Sequence, residues 1–558
     1  MPKVHPLLFS LVLCLCPAVA QDRGIPPDPQ EFYEDLEQAR RHMDEGDFVE
    51  ARSLFDSLVR RAPKNASLRY QLGMCHWQTG QPREAVQNLT AALEMGMGTP
   101  PLVSYWIAGL HANLGEAEVA LDWLSRALEF RYVNRAGVAT DASFSSLREE
   151  ARFKELAGLL PEREFTREQG WSYDLDFLLA EIRRMHPLPG GHPDGSPVQS
   201  AIEDLNRRVT DLDDTQVTFE LLKIIGLLGD GHSGVRLSSA QRLDLTYVPV
   251  QFHMFSDGLF IIRGRGAGAA LVGARVLTLG GRSVEEVMEI MAEVVPHEND
   301  QGIVANAMNL LRIPGLLHHF EVSPSRESLT LTVESPGGVQ RRIELEGGER
   351  LAFPRFDAPE EASTPAPPYL QRKQESWWDE PRGPKAHFVQ FNGVRDDPGK
   401  TLKQYVGELH QRLQSSGAQN VIVDVRHNGG GNNFLVKPMI RALVHFEMDR
   451  PGNRVFVITS RYTYSACQNF LNRLEQIGDP IVVGEPSSSK PNFIGETTHT
   501  RLPWSGIRVG ISSRYWQDSY PEDSRVWIAP DIPTPLSSED WFANRDPAMS
   551  AVLAVING

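Results

Sequence analysis

Four segments of this chain hold residues whose types and spacing could do chemistry. The first is Thr463-Tyr464-Ser465-Ala466-Cys467, which follows an apolar strand, Val455 to Thr459, and opens a helix running from about Ser465 to Ile477. A serine at a strand-to-helix corner is exposed. Its hydroxyl sits at a helix N-terminus, where developing negative charge is stabilised, so it suits a nucleophile. It equally suits an ordinary helix N-cap, and the segment alone does not separate the two. The second is Arg426-His427-Asn428-Gly429-Gly430-Gly431-Asn432, after a strand ending at Val425. Three glycines between two asparagines, ahead of a helix, let backbone N–H groups turn toward a ligand and favour an anion or oxyanion site. The third is Gly484-Glu485-Pro486-Ser487-Ser488-Ser489-Lys490-Pro491-Asn492, with Lys490 lying 25 residues after Ser465. The fourth is Gly229-Asp230-Gly231-His232-Ser233, a turn that presents His232 at an element boundary.

The elements around these segments predict how they are positioned. From Ala386 to Gly558, strands and helices alternate: Phe388 to Phe391, a stripe of Leu402, Tyr405, Val406, Leu409 and Leu413, the strand Val421 to Val425, a helix over Leu435 to Phe446, then Val455 to Thr459 and Ile481 to Val483. Successive β-α units imply a largely parallel sheet, with ligands beyond the carboxyl ends of its strands. The first three segments all fall at those ends. Residues 165–240 read as helical, with Leu175, Leu178, Leu179, Ile182 and Met185 on one face. Residues 245–350 read as strands with one helix, capped by Ser283, and a hairpin pairing Ser328 to Val333 with Gln340 to Leu345. Residues 353–385, rich in Pro, Glu and charge, read as a linker or lid-like loop.

In the first third, Gly46, Ala51 and Phe55 recur 34 residues later as Gly80, Ala85 and Leu89, and again, one residue further on, as Gly115, Ala120 and Leu124. This pattern resembles tetratricopeptide repeats over residues 30–160: an α-helical solenoid of stacked helix pairs, serving either as a spacer or as a docking surface for a protein partner. Residues 1–20 read as a signal peptide, from Lys3, the short apolar run Leu7 to Cys16, and Ala18-Val19-Ala20. The expected location is therefore periplasmic or extracellular. After cleavage only Cys75 and Cys467 remain, too few for a disulfide framework. Of 558 residues, 56 are Lys or Arg and 72 Asp or Glu, a net charge of −16 without a basic block, which argues against nucleic acid as a partner. No segment after the leader has the length and apolarity of a membrane span. No metal-ligand spacing stands out, and neither metal nor cofactor is expected.

Asp424-Val425-Arg426-His427-Asn428-Gly429-Gly430-Gly431, then Tyr464-Ser465-Ala466, Val483-Gly484-Glu485 and Ala529-Pro530-Asp531-Ile532 resemble, in order and spacing, the C-terminal processing (tail-specific) and tricorn-type serine peptidases. Gly229-Asp230-Gly231-His232-Ser233 resembles the histidine motif of the tricorn and retinoid-binding branches. The resemblance covers roughly residues 165 to 558. It implies an α/β core like that of ClpP and crotonase, a PDZ-like module over 245–350, and Ser465 as acyl-forming nucleophile. It implies an oxyanion hole from the Ala466 N–H and one N–H of the Gly429–Gly430 turn. Two bases fit. Lys490 has the processing-branch spacing, although Ile494 stands where that branch has a glutamine. His232 fits the tricorn branch, with Glu496, Glu522 or Asp523 to orient it, and is preferred because neutral imidazole suits general-base work near pH 7. The expected activity is peptide-bond cleavage by an exported enzyme. The alternative is a non-catalytic protein that binds an apolar ligand or a partner on the same fold.

Overall fold

A computed structural model describes residues 29–558 apart from 133, 189–190, 238–242, 244, 351–364 and 372–374. The expected leader over 1–20 lies outside the described residues. The chain divides into two units, 1–163 and 164–558.

The first unit holds three helix pairs: Pro29–Glu45 with Phe48–Arg61, Ala66–Gln78 with Pro82–Glu94, and Pro100–Asn113 with Ala117–Glu129. The repeated glycines explain the sharp reversal inside each pair. Gly46, Gly80 and Gly115 have φ of 85°, 74° and 77°, backbone that a Cβ would strain. Ala51, Ala85 and Ala120 are fully buried where the paired helices cross. The period extends to a polar contact: His42, His76 and His111, each in a last helical turn, face Asp47, Gln81 and Glu116 at 3.6, 2.6 and 2.6 Å. His42, Glu45 and Asp47 also bring three ligand-type atoms within 4.8 Å of one another, with both acids exposed.

Among the described residues the second unit holds three sheets. One six-stranded sheet runs in the order Ile532–Pro533, Ile481–Gly484, Arg454–Thr459, Asn420–Asp424, Ala386–Phe391, Trp377–Arg382. All neighbours are parallel except the last pair. Period-two alternation sends Val421 and Val423 into the core on one face and Ile422 into a separate core on the other. The sixth strand corrects the sequence reading: residues 377–382, expected within the 353–385 linker, are the antiparallel edge of this sheet.

That edge is held by Asp379, which accepts from His387 Nε2 at 2.7 Å and from Arg412 Nε and Nη2 at 2.9 and 2.6 Å. Burial raises its carboxyl, but the bonds from His387 and Arg412 outweigh that and hold it at about 2. A carboxyl depressed on folding stabilises the protein above its unfolded value and loses that contribution as pH falls through the folded one. Asp379→Asn is therefore expected to cost about 2 kcal/mol at neutral pH, and to flatten the fall in urea stability between about pH 4 and pH 2.

The middle region carries the antiparallel order Val250–Phe255, Gly258–Gly264, Arg275–Leu279, Ser328–Glu334, Gln340–Glu346. It has three helices rather than the one expected: Val284–Val294, Asp300–Leu310 and Pro314–His319. Ser283 caps the first in a reciprocal box with Glu286. The loop at Asp257 is occupied by the chain's own C-terminal segment, since Ser538 N and Oγ donate to its carboxylate at 2.9 and 2.5 Å. The third sheet pairs Gly234–Arg236 with the hairpin Asn492–Arg501 and Arg508–Gln517, which the sequence reading did not foresee. No helix among the described residues is long and apolar enough to cross a membrane.

Candidate active site

Ser465 sits at the carboxyl end of Arg454–Thr459, immediately before the helix Ala466–Ile477. Its backbone has φ 59° and ψ −125°, and its side chain makes no capping hydrogen bond. The N-cap reading is thereby set aside. A non-glycine residue in that region persists only where its surroundings enforce it. Here they do: Ser465 N donates to Ser489 Oγ at 3.2 Å, Tyr464 N donates to the Asn428 carbonyl at 3.1 Å, and Thr463 Oγ1 donates to the Val425 carbonyl at 3.0 Å.

The glycine loop packs directly on this corner. A Cβ on Gly430 would lie 2.7 Å from Ser465 Cβ and 2.8 Å from Ala466 N. The loop's donors are not all free, however. Gly430 N donates to Asn428 Oδ1 at 3.0 Å. The oxyanion donors expected from sequence therefore narrow to the N–H groups of Ala466 and Gly429.

His232 reaches the corner through the residue next to the serine. Its Nδ1 lies 2.7 Å from Tyr464 Oη, and its ring stacks on Tyr464 at 4.4 Å and on Phe493 of the hairpin at 5.2 Å. Glu298 Oε1 lies 3.5 Å from both Tyr464 Oη and His232 Nδ1. Burial pushes the Tyr464 phenol well above its ordinary value, and the charge of Glu298 adds to this, so Tyr464 keeps its proton. With that proton directed to Glu298, His232 donates from Nδ1 and leaves a lone pair on Nε2; this tautomer is assigned from the network. His232 Nε2 is buried with no hydrogen-bond partner among the described residues.

Four other expected residues fall differently. Lys490 donates its backbone N–H to Glu298 Oε2 at 2.8 Å, but its ammonium has neither an ion pair nor a hydrogen bond among the described residues and is not buried. A lysine base needs a desolvated ammonium, and Lys490 is only half-buried. Glu496 is exposed, and its hydrogen bond is at its carbonyl, from Ser513 Oγ. Asp523 is engaged by Arg525 and Ser519, and Glu522 is exposed. The acid at His232 is instead Glu298, 8% exposed, from the turn between two helices of the middle region. Sequence reasoning missed it. The only signal was the polar run Pro296-His297-Glu298-Asn299-Asp300 between apolar helices.

Beneath the glycine loop, Arg426 fastens the sheet to the C-terminal helix. It bonds both carboxylate oxygens of Asp424 and of Asp546, and lies 3.7 Å over the Tyr369 ring. Asp546 caps the helix Pro547–Asn557. Removing one partner of a buried ion cluster leaves charges uncompensated. Arg426→Met is expected to lower urea stability by about 3–5 kcal/mol.

Comparisons with known proteins agree with both units. Residues 42–100 and 76–132 match tetratricopeptide repeat models. No curated protein sequence matches the chain. Among solved structures, mature CPAF aligns at a TM-score of 0.50 with 13% identity, covering 70% of this chain and 96% of that one. The photosystem II D1 C-terminal processing protease aligns at 0.34 with 14% identity over 71% and 98%, and the tricorn protease at 0.33 with 14% identity over 70% and 37%. The chain thus carries a tetratricopeptide-repeat region, followed by a fold shared with mature CPAF.

Proposed function

We propose that this chain is a serine-type peptidase of the tail-specific and tricorn kind, exported after loss of residues 1–20 and acting through a Ser465 acyl-enzyme. The observation that carries the reading is the forced backbone of Ser465, uncapped at φ 59° and ψ −125°, with the unpartnered His232 Nε2 held beside the same corner by Tyr464. A serine kept in such a conformation, at a strand-to-helix turn, is the arrangement that presents a nucleophile.

In this reading His232 Nε2 takes the Ser465 hydroxyl proton as Oγ attacks the scissile carbonyl. The developing oxyanion is met by the Ala466 and Gly429 N–H groups, each worth about 3 kcal/mol in the barrier. His232 then gives its proton to the leaving amine, and water releases the acyl group by the same steps in reverse. Glu298, through Tyr464, keeps the Nδ1 proton in place and favours the imidazolium. The sheet of residues 386–558 serves as a ClpP- or crotonase-like core. The 245–350 region is a PDZ-like module that supplies Glu298, and the repeats dock a protein partner.

The test is covalent labelling with a fluorophosphonate probe, followed by mass mapping. An adduct on tryptic peptide 462–473, which holds Ser465, is the expected result. A folded protein that takes up no probe and cleaves no member of a peptide library overturns the proposal.

A further inference from the structure

Behind His232 lies a second set of buried polar groups that the reaction does not use directly. Asp230, fully buried, accepts at Oδ1 from the backbone N–H of His232 at 2.7 Å, from Ser233 N at 2.6 Å and from Ser512 Oγ at 2.8 Å. At Oδ2 it accepts from Ser233 Oγ at 2.7 Å and from His186 Nε2 at 3.1 Å. His186 is 1% exposed, and its Nδ1 lies 2.9 Å from His192 Nε2. Three separate segments therefore converge on one carboxylate: the end of the helix Arg167–Met185, the loop carrying His232, and the strand Arg508–Gln517. A turn alone needs one such bond, and an ionised buried carboxylate needs its partners to remain charged.

We infer that Asp230, with His186 as its donor, is a positioning pair for His232, fixing the backbone of the general base and supplying a permanent negative charge beside it. The inference rests on the peptidase reading for its kinetic consequences, although not for the placement itself. The groups that face His232 are Asp230 on its own loop, Glu298 from the middle region and Tyr464 from the serine corner. Those that face His186 are Asp230 and His192, and His192 in turn feels the charge of Arg183. The charge of Asp230 is felt as far as Tyr464, where it adds to the pressure against phenol ionisation. Burial drives the Asp230 carboxyl up, but the bonds from His186, Ser233 and Ser512 prevail and leave it below its ordinary value, so it stays ionised. Removing this charge makes the His232 imidazolium less favourable, which lowers both its basicity and the pH at which it titrates.

The experiment compares the full chain with Asp230→Asn, His186→Leu and His186→Gln in two readouts. One is the rate of fluorophosphonate labelling against pH. The other is the His232 titration midpoint by carbon-13 histidine NMR, with His232→Gln used for assignment. Asp230→Asn is expected to label about tenfold or more slowly and to titrate about one pH unit lower. His186→Leu should follow in the same direction. His186→Gln, which restores a donor to Asp230, should recover most of the loss. Folded variants, matched to the parent by thermal melting, whose His232 midpoint and labelling profile are unchanged overturn the inference. If Asp230→Asn does not fold, the decision falls to the His186 pair. If the parent itself fails to label, the peptidase reading falls, while the NMR midpoint still decides the placement.

Discussion

Replacing His232 by glutamine is expected to slow acylation of Ser465 about ten-thousandfold, while Lys490→Ala leaves it within about threefold of the parent. The two substitutions separate the bases that the sequence left open. His232 has an unpartnered, buried Nε2 and an Nδ1 fixed by Tyr464 and Glu298, the arrangement of a neutral base with its tautomer held. The Lys490 ammonium lies outside any ion pair or hydrogen bond among the described residues, and its contribution to the site is a backbone N–H to Glu298, which alanine retains. Stopped-time fluorophosphonate labelling near neutral pH provides the measurement. A collapse in Lys490→Ala with a near-normal rate in His232→Gln would reverse the assignment.

Gly430→Ala is expected to reduce labelling by a hundredfold to about a thousandfold. Gly430 has φ 96°, and its added Cβ would meet Ser465 Cβ at 2.7 Å, Ala466 N at 2.8 Å and the Tyr464 carbonyl at 2.9 Å. Two of these are backbone atoms of the segment that carries Ser465 and the Ala466 N–H, so no side chain can step aside. The left-handed backbone adds about 1–2 kcal/mol of strain on its own. Gly407→Ala provides the comparison. It lies within the helix Leu402–Ser416, where a Cβ meets nothing within 4 Å, so labelling should be unchanged and stability slightly raised. Near-parent labelling in Gly430→Ala would mean that the glycine loop is not part of the reactive corner.

What could be read from the sequence follows the range of each physical signal. Helix and strand periodicity is local, and it held where it was clear. Leu402, Tyr405, Val406, Leu409 and Leu413 are all buried on one helix, and the hairpin expected at 328–333 and 340–345 forms at Ser328–Glu334 and Gln340–Glu346. The strand Trp377–Arg382 was obscured because Pro, Glu and charge dominate its surroundings. An edge strand tolerates such residues, so its polarity is a consequence of position and not a sign of a linker. The hairpin Asn492–Arg501 and Arg508–Gln517 lacks the apolar runs that mark a core strand. Its outer residues are exposed, while Val509 and Ile511 turn inward.

By itself the sequence determined the repeat unit, the order of the core strands along the chain, and three candidate groups: Ser465, the glycine loop that packs on it, and His232, which contacts the neighbouring Tyr464. Each depends on neighbours within a few residues. Only the tertiary structure decided that Ser465 is forced and uncapped, that Gly430 N–H is already given to Asn428, and that Glu298, not Glu496, stands at the histidine. Glu298 lies 166 residues before Tyr464 and 192 before Lys490. Which carboxylate reaches a buried imidazole is a matter of how separate segments pack, and neither spacing nor periodicity along the chain carries that information.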